Sequence, residues 1–325
     1  MRRRQFFGAC AGAGASVAAV SSPGAVLSAA KGLADSDAAQ GIAPGTPPFK
    51  LSVMLWTVCE KLPFDQRLEK VAEAGYNAVE LVSEYKNFGK EDYAKFRAKK
   101  RELNLAVDAT SGITHSLCDA SQRDALLEEV RVKLPVLEEL ECNKLILLSG
   151  DKIPGQGPQQ MHDNCIEGLK RAAEIAATKK IGILLENIDP EENPKYFLTS
   201  VSEGFQIVRS VGAPNVQFLY DFFHDQIAEG NLMAKLEKNL DLIGVVHIAD
   251  VPGRHDPGTG EINYPNIFRK LGQLGFNGYV AMEFIPEGET VSALRAAREM
   301  AMKYGSAQRN HSAQVINQGR RHATA

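Results

Sequence analysis

Residues 244–262, GVVHIADVPGRHDPGTGEI, begin as an apolar run and end in a loop dense with charge, proline and glycine. The run 244–249 has the length and β-branched content of a buried parallel strand. It carries one histidine, His247, in apolar company. Asp250, Arg254, His255 and Asp256 follow within seven residues, punctuated by Pro252, Gly253, Pro257 and Gly258. Functional groups crowded at the C-terminal end of a parallel strand are what the active face of a (β/α)₈ barrel looks like in sequence. The alternative is a polar surface loop beside an incidental core histidine.

The surrounding chain favours the barrel. From Leu51 onward, apolar strands alternate with amphipathic helices eight times. The strands are expected at 51–58, 78–82, 105–112, 144–150, 182–187, 216–224, 244–250 and 278–284. The helices are expected over 65–74, 91–103, 122–140, 160–179, 201–211, 233–240, 266–274 and 290–304. Pro135 is expected to bend or break the third helix. This alternation over roughly 250 residues predicts one parallel (β/α)₈ TIM barrel spanning 49–305. A doubly wound open sheet usually carries a glycine-rich phosphate loop after its first strand. Here that strand runs into Thr57-Val58-Cys59-Glu60-Lys61 instead.

The chain has 325 residues, a formal charge of -3, and 44% hydrophobic against 24% charged residues. That is ordinary globular composition, and no basic stripe invites a nucleic-acid backbone. At the start, Arg3-Arg4-Gln5-Phe6-Phe7 precedes a weakly apolar stretch and the small residues Ser28-Ala29-Ala30. This order resembles a twin-arginine export signal over 1–30, which predicts a periplasmic protein with no membrane attachment after cleavage. Residues 31–48 read as a flexible linker and 306–325 as a polar tail. Cys59, Cys118, Cys142 and Cys165 form no CxxC pair, and all four are expected to be free and partly buried.

Four strand ends share one pattern. Strand five ends LLE at Glu186, strand six FLYD at Asp221, strand seven carries GVVH at His247, and strand eight VAME at Glu283. A buried carboxylate is costly unless it is paired or bound to a cation. In a barrel these strands are neighbours, so the side chains converge. Three carboxylates and an imidazole suit one divalent ion such as Mn²⁺, Co²⁺ or Mg²⁺, with Zn²⁺ a further choice. Separate hydrogen-bonded core residues are the alternative. His115 and Asp108, on or just after strand three, are candidates to line the pocket. His255 is expected either to bind substrate or to brace the loop. Trp56 and Phe284 are read as pocket wall or core, and His162 as surface.

The segments LLENID, YDFFH, HIADVPGRHDPGTGEINY and AMEF resemble the xylose-isomerase-like barrels, in particular hydroxypyruvate isomerases and ketose 3-epimerases of the tagatose/psicose type. The resemblance covers the whole barrel and implies metal ligands at Glu186, Asp221, His247 and Glu283. It implies acid/base roles for Glu186 and Glu283, and substrate contacts at His224, Arg254 and Glu192. The IDPEEN loop around Glu192 departs from the epimerase pattern. His247 matches the epimerases, where the isomerases carry glutamine, whereas PGRHDPGTGE looks more like the isomerases. A homo-oligomer is also in keeping with the family.

A hydroxyl and an adjacent carbonyl can chelate one divalent ion, which polarises the carbonyl and stabilises an enediolate. One glutamate then removes a proton and the other returns one. Return to the neighbouring carbon gives isomerisation; return to the opposite face of the same carbon gives epimerisation. Arg254 suits a substrate carboxylate, with a loop salt bridge to Asp250 or Asp256 as the alternative. The expected partner is therefore a small sugar or hydroxy-keto acid. A lyase or dehydratase acting on keto-sugars or inososes is a second possibility on the same scaffold. A non-enzymatic binding barrel is a third, weakened by retention of all four ligands. A DNA nuclease is a fourth. The nucleases of this superfamily use histidine-rich zinc clusters, and the seven histidines here and the acidic balance argue against one.

Overall fold

The computed structural model describes residues 45–306. The expected export signal, most of the linker and all but the first residue of the expected tail lie outside them. The strands are β1 (Lys50–Met54), β2 (Ala78–Leu81), β3 (Ala106–Thr110), β4 (Lys144–Leu148), β5 (Gly182–Glu186), β6 (Val216–Asp221), β7 (Ile243–Ile248) and β8 (Tyr279–Met282). They pair in parallel in chain order, and β8 closes on β1. The helices are α1 (Phe64–Glu73), α2 (Lys90–Glu102), α3 (Arg123–Leu140), α4 (Pro158–Ala177), α5 (Val201–Val211), α6 (Phe222–Ala228), α7 (Leu232–Asn239), α8 (Tyr264–Leu274) and α9 (Thr290–Gly305). None of the helices among the described residues is long and apolar enough to cross a membrane.

Two apolar layers hold the barrel. The larger lies outside the strands, where residues such as Leu185, Phe218 and Val246 meet the helices. The smaller fills the interior with Ala109, Ile146, Leu184, Leu219 and Val245. Strand side chains alternate with a period of two. Moving two residues on from Leu184, Leu219 and Val245 along the same face therefore reaches Glu186, Asp221 and His247. The register aligns Asp221 with His247 and His247 with Ala281. Two residues past Ala281 comes Glu283, whose N–H donates to Ile248 O at 3.0 Å. The apolar interior is thus the floor of the polar site. Packing outside is close: a Cβ on Gly204 of α5 would stand 2.3 Å from the Phe218 ring.

Two expectations need correction. Pro135 does not break α3; the helix runs 18 residues through it. A proline in a helix interior costs about 3 kcal/mol. Leu126, Val130, Leu134, Leu137 and Leu140 are all buried along this helix, and each such side chain contributes about 1.5–3 kcal/mol, which outweighs the loss. The sixth strand stops at Asp221 rather than His224. Phe222 to Ala228 turn at once into α6, because Asp221 Oδ1 accepts the N–H of Phe223 at 2.7 Å and caps the helix.

Candidate active site

Glu186, Asp221, His247 and Glu283 are all buried, and each offers a ligand atom within 4.8 Å of the others. His247 Nδ1 stands 2.6 Å from Glu283 Oε2 and 3.6 Å from Glu186 Oε1. Neither His247 Nδ1 nor Glu283 Oε2 makes an aligned hydrogen bond, although both are inaccessible to solvent. Two buried ligand atoms turned toward one point without an aligned hydrogen bond suit a shared cation. Three hard carboxylate groups and one imidazole fit a divalent ion.

The electrostatics of the two glutamates diverge. Burial dominates Glu186 and, with the neighbouring Glu283, outweighs His247 and lifts its carboxyl to about 8. Burial also pushes Glu283 up, but Arg254 and His247 outweigh it and hold this carboxyl well below the ordinary range. The protein alone thus favours a proton on Glu186 and a charge on Glu283. Carboxyls pushed apart in this way are suited to opposite roles in proton transfer.

Arg254 is nine-tenths buried and reaches this cluster from the 251–262 loop. Its NH2 group lies 3.1 Å from Asp221 Oδ2 and 2.6 Å from Glu283 Oε2. NH1 donates to Glu192 Oε2 at 3.0 Å, and the guanidinium lies 4.7 Å from the centre of the Phe223 ring. A loop salt bridge with Asp250 or Asp256 is not what holds it. Asp250 instead accepts three loop N–H groups, from Val251, Gly258 and Ile262. Arg254 has φ +58°, in the left-handed region rarely used outside glycine.

His224 falls one helical turn beyond Asp221, at i+3, so its Nε2 lies 3.4 Å from Asp221 Oδ2. Its Nδ1 lies 2.6 Å from Asp189 Oδ2. Asp189 is fully buried, and its other oxygen accepts the N–H groups of Glu191 and Glu192. Glu192 is therefore placed by the same loop that holds Asp189. Sequence reasoning passed over Asp189, since nothing local in LLENID distinguishes it from a turn residue.

His115 does not join the cluster. Its Nδ1 faces Glu129 of α3 at 3.0 Å, and Glu129 also binds Thr114 and His115 backbone N–H groups. His255 turns the other way: its Nδ1 is 2.9 Å from Ile285 O, so it braces the loop against the segment after β8. Phe284 is core, whereas half-buried Trp56 lines a cavity of about 470 Å³ with Cys59, Lys61, Ile285 and Pro286. His162 is partly buried against Glu203 rather than simply surface. Cys118, Cys142 and Cys165 are buried, Cys59 is partly so, and all four are free thiols.

The Asp189–His224 pair has a pH signature. Burial opposes charge on both. Asp221 and Asp189 nevertheless raise the imidazole above its ordinary value, and His224 with the Glu192 N–H lowers the Asp189 carboxyl. The raised histidine contributes stability in full below 6.5 and loses it as pH rises through its folded value. The lowered aspartate contributes above 3.8 and loses it as pH falls through its folded value. In chelator, the Tm advantage of the parent over Asp189→Asn is therefore expected to peak between these two values and shrink above them. An advantage that grows from neutral to alkaline pH would contradict this.

The family model of the xylose isomerase-like TIM barrel matches residues 68–303. 2-Oxo-tetronate isomerase of Haemophilus influenzae is 31% identical over 255 residues, covering 75% of this chain and 96% of that protein. Hydroxypyruvate isomerase of Escherichia coli is 30% identical over 236 residues, covering 71% and 92% respectively. A crystal structure described as an AP endonuclease of family 2 from Brucella melitensis superposes with a TM-score of 0.70 at 29% identity, covering 78% of this chain and 98% of that one. With eight parallel strands closed around a carboxylate–imidazole cluster and a family match across most of the barrel, the chain belongs to the xylose isomerase-like TIM barrel family.

Proposed function

We propose that the protein is a divalent-metal-dependent isomerase of small hydroxy-keto acids of the hydroxypyruvate or 2-oxo-tetronate type. The observation that carries this reading is the convergence of Glu186, Asp221, His247 and Glu283 at the mouth of the barrel, with Arg254 against two of them. The relatives' isomerase activities point the same way. The four residues would hold the ion, which when bound supplies Lewis-acid polarisation of a carbonyl and lowers the acidity barrier at the adjacent carbon.

The chain's own residues account for the rest. Glu283, whose Oε2 lies 2.6 Å from the Arg254 guanidinium, takes the α-proton. Glu186, on the other side of the cluster, returns a proton to the neighbouring carbon. Arg254 presents its guanidinium and His224 its imidazole to the substrate carboxylate, and Glu192 keeps the guanidinium aimed. Buried Phe223, whose ring lies against the Arg254 guanidinium, shields it from water. Epimerisation of a ketose is the second reading, favoured by His247 in the ligand set.

The test is hydrogen exchange in D₂O followed by NMR, with Mn²⁺-loaded protein and a panel of hydroxypyruvate, 2-oxo-tetronate and ketoses. Deuterium entering the carbon beside the keto group of a hydroxy-keto acid, with exchange abolished by chelator, is expected. Exchange confined to C3 of a ketose would establish the second reading. Exchange of no substrate, or exchange indifferent to chelator, would remove both.

We also propose export by the twin-arginine route, on the strength of Arg3-Arg4-Gln5-Phe6-Phe7 and the small residues at 28–30. Arg3→Lys/Arg4→Lys should retain the protein in the cytoplasm on cell fractionation; unchanged export would refute it.

A further inference from the structure

Beside the four-residue cluster, the barrel holds buried polar side chains that the proposed reaction leaves unused. Ser52 of β1, Glu80 of β2 and Asp108 of β3 are each 1% exposed or less. Ser52 Oγ, Glu80 Oε1 and Asp108 Oδ2 make no aligned hydrogen bond. Charged groups are kept in so dry a place only where something balances them.

Glu80 has one specific partner. Its Oε2 lies 3.1 Å from His247 Nε2, across the barrel from β2 to β7. The two nitrogens of His247 thus face different groups. Nε2 faces Glu80, and Nδ1 faces Glu283 and Glu186. A hydrogen bond at one imidazole nitrogen fixes the ring plane and decides which nitrogen is left to coordinate. Asp108 stands beside Glu80, and burial followed by that neighbour raises its carboxyl well above the ordinary value.

We propose that Glu80 is a positioning residue for the metal centre, accepting the N–H of His247 Nε2 and so presenting Nδ1 as the ligand atom. This rests on the metal-centre reading above. A purely packing role for Glu80 would leave the imidazole free to coordinate through either nitrogen.

The experiment uses Co²⁺ as probe, with the parent, Glu80→Gln and Glu80→Leu, each checked for native near-UV circular dichroism. Affinity is measured by calorimetric titration. Proton NMR of the Co²⁺-loaded protein then follows the paramagnetically shifted, exchangeable imidazole N–H of His247, assigned by ¹⁵N-histidine labelling and its nuclear Overhauser contacts. The parent should show this N–H protected from solvent exchange. Glu80→Leu should weaken Co²⁺ binding about 10–100-fold and expose the N–H to rapid exchange. Glu80→Gln keeps an acceptor oxygen, so it should recover most of the affinity while shifting the N–H resonance. Glu80→Leu that binds Co²⁺ within about twofold of the parent, with an unchanged N–H, overturns the proposal and leaves the metal centre standing. If Glu80→Leu does not fold, an unshifted N–H in Glu80→Gln overturns it instead. A parent protein that binds no Co²⁺ overturns both this inference and the metal-centre reading.

Discussion

Glu283→Gln is expected to slow exchange of the substrate C–H about 10²-fold or more while most of the metal stays bound. Glutamine keeps the side chain's shape and one donor oxygen but has no basic oxygen to take a proton. In the parent, the Arg254 guanidinium lies 2.6 Å from the Glu283 carboxylate and the ion would be held by the other ligands, so the loss falls on the chemical step. Asp221→Ala and His247→Ala should behave differently, losing metal and activity together, because each removes a ligand and leaves buried carboxylates without compensation. Metal analysis beside exchange rates separates the two patterns. Parent-rate exchange in Glu283→Gln would place the base elsewhere. A full equivalent of metal in the Asp221→Ala/His247→Ala double variant would do the same for the ion.

Asp250→Ala should be the most damaging single change in the loop that carries Arg254. Asp250 is fully buried, and Oδ1 accepts from Val251 and Ile262 at 3.0 and 2.9 Å while Oδ2 accepts from Gly258 at 2.8 Å. Its own N–H donates to His255 O at 2.9 Å. Alanine leaves three N–H groups short of an acceptor, at about 1–3 kcal/mol for each that stays buried. A barrel of this size loses about 2–4 °C in Tm per kcal/mol, so a fall of about 6 °C or more is expected with all three left unpaired. Arg254, in a left-handed backbone conformation, also loses the frame that imposes it, so kcat/KM should fall further than Tm alone explains. Asp250→Asn should be milder, since its amide oxygen can still serve two of the three donors. A Tm within about 2 °C of the parent for Asp250→Ala would show that the loop is held by other means.

The barrel and its main cluster are legible in the sequence because each rests on a local contrast. A carboxylate or imidazole after three or four apolar residues, as in LLE, FLYD, GVVH and AME, stands out against its own strand. The strand period then carries it to the interior with Leu184, Leu219 and Val245. Glu80 in AVELV offers the same contrast, but its partner lies 167 residues away and no local pattern joins them. Asp189 is hidden for a similar reason. Its meaning comes from His224, on a helix that YDFFH conceals, since consecutive aromatics favour a strand until Asp221 caps the turn. Pro135 shows the opposite case, a strong local signal overruled by the leucines packed on either side of it. His115 sits on the chemically plausible strand, yet Glu129 of α3 claims it, a contact that only the tertiary structure brings about.

The junction between β6 and α6 has a consequence for how this scaffold can change over evolutionary time. Strand passes into helix with no linking residue, and Asp221 is at once the last residue of one and the cap of the other. One added residue between Asp221 and His224 would rotate the imidazole about 100° around the helix axis, away from Asp189 and Arg254. The 251–262 loop is held differently, through one side chain, Asp250, that grips it at several separate points along its length. Descendants of this protein that acquire new substrates should therefore vary in length on the exposed stretches of the later loop, and keep the spacing from Asp221 to His224 unchanged.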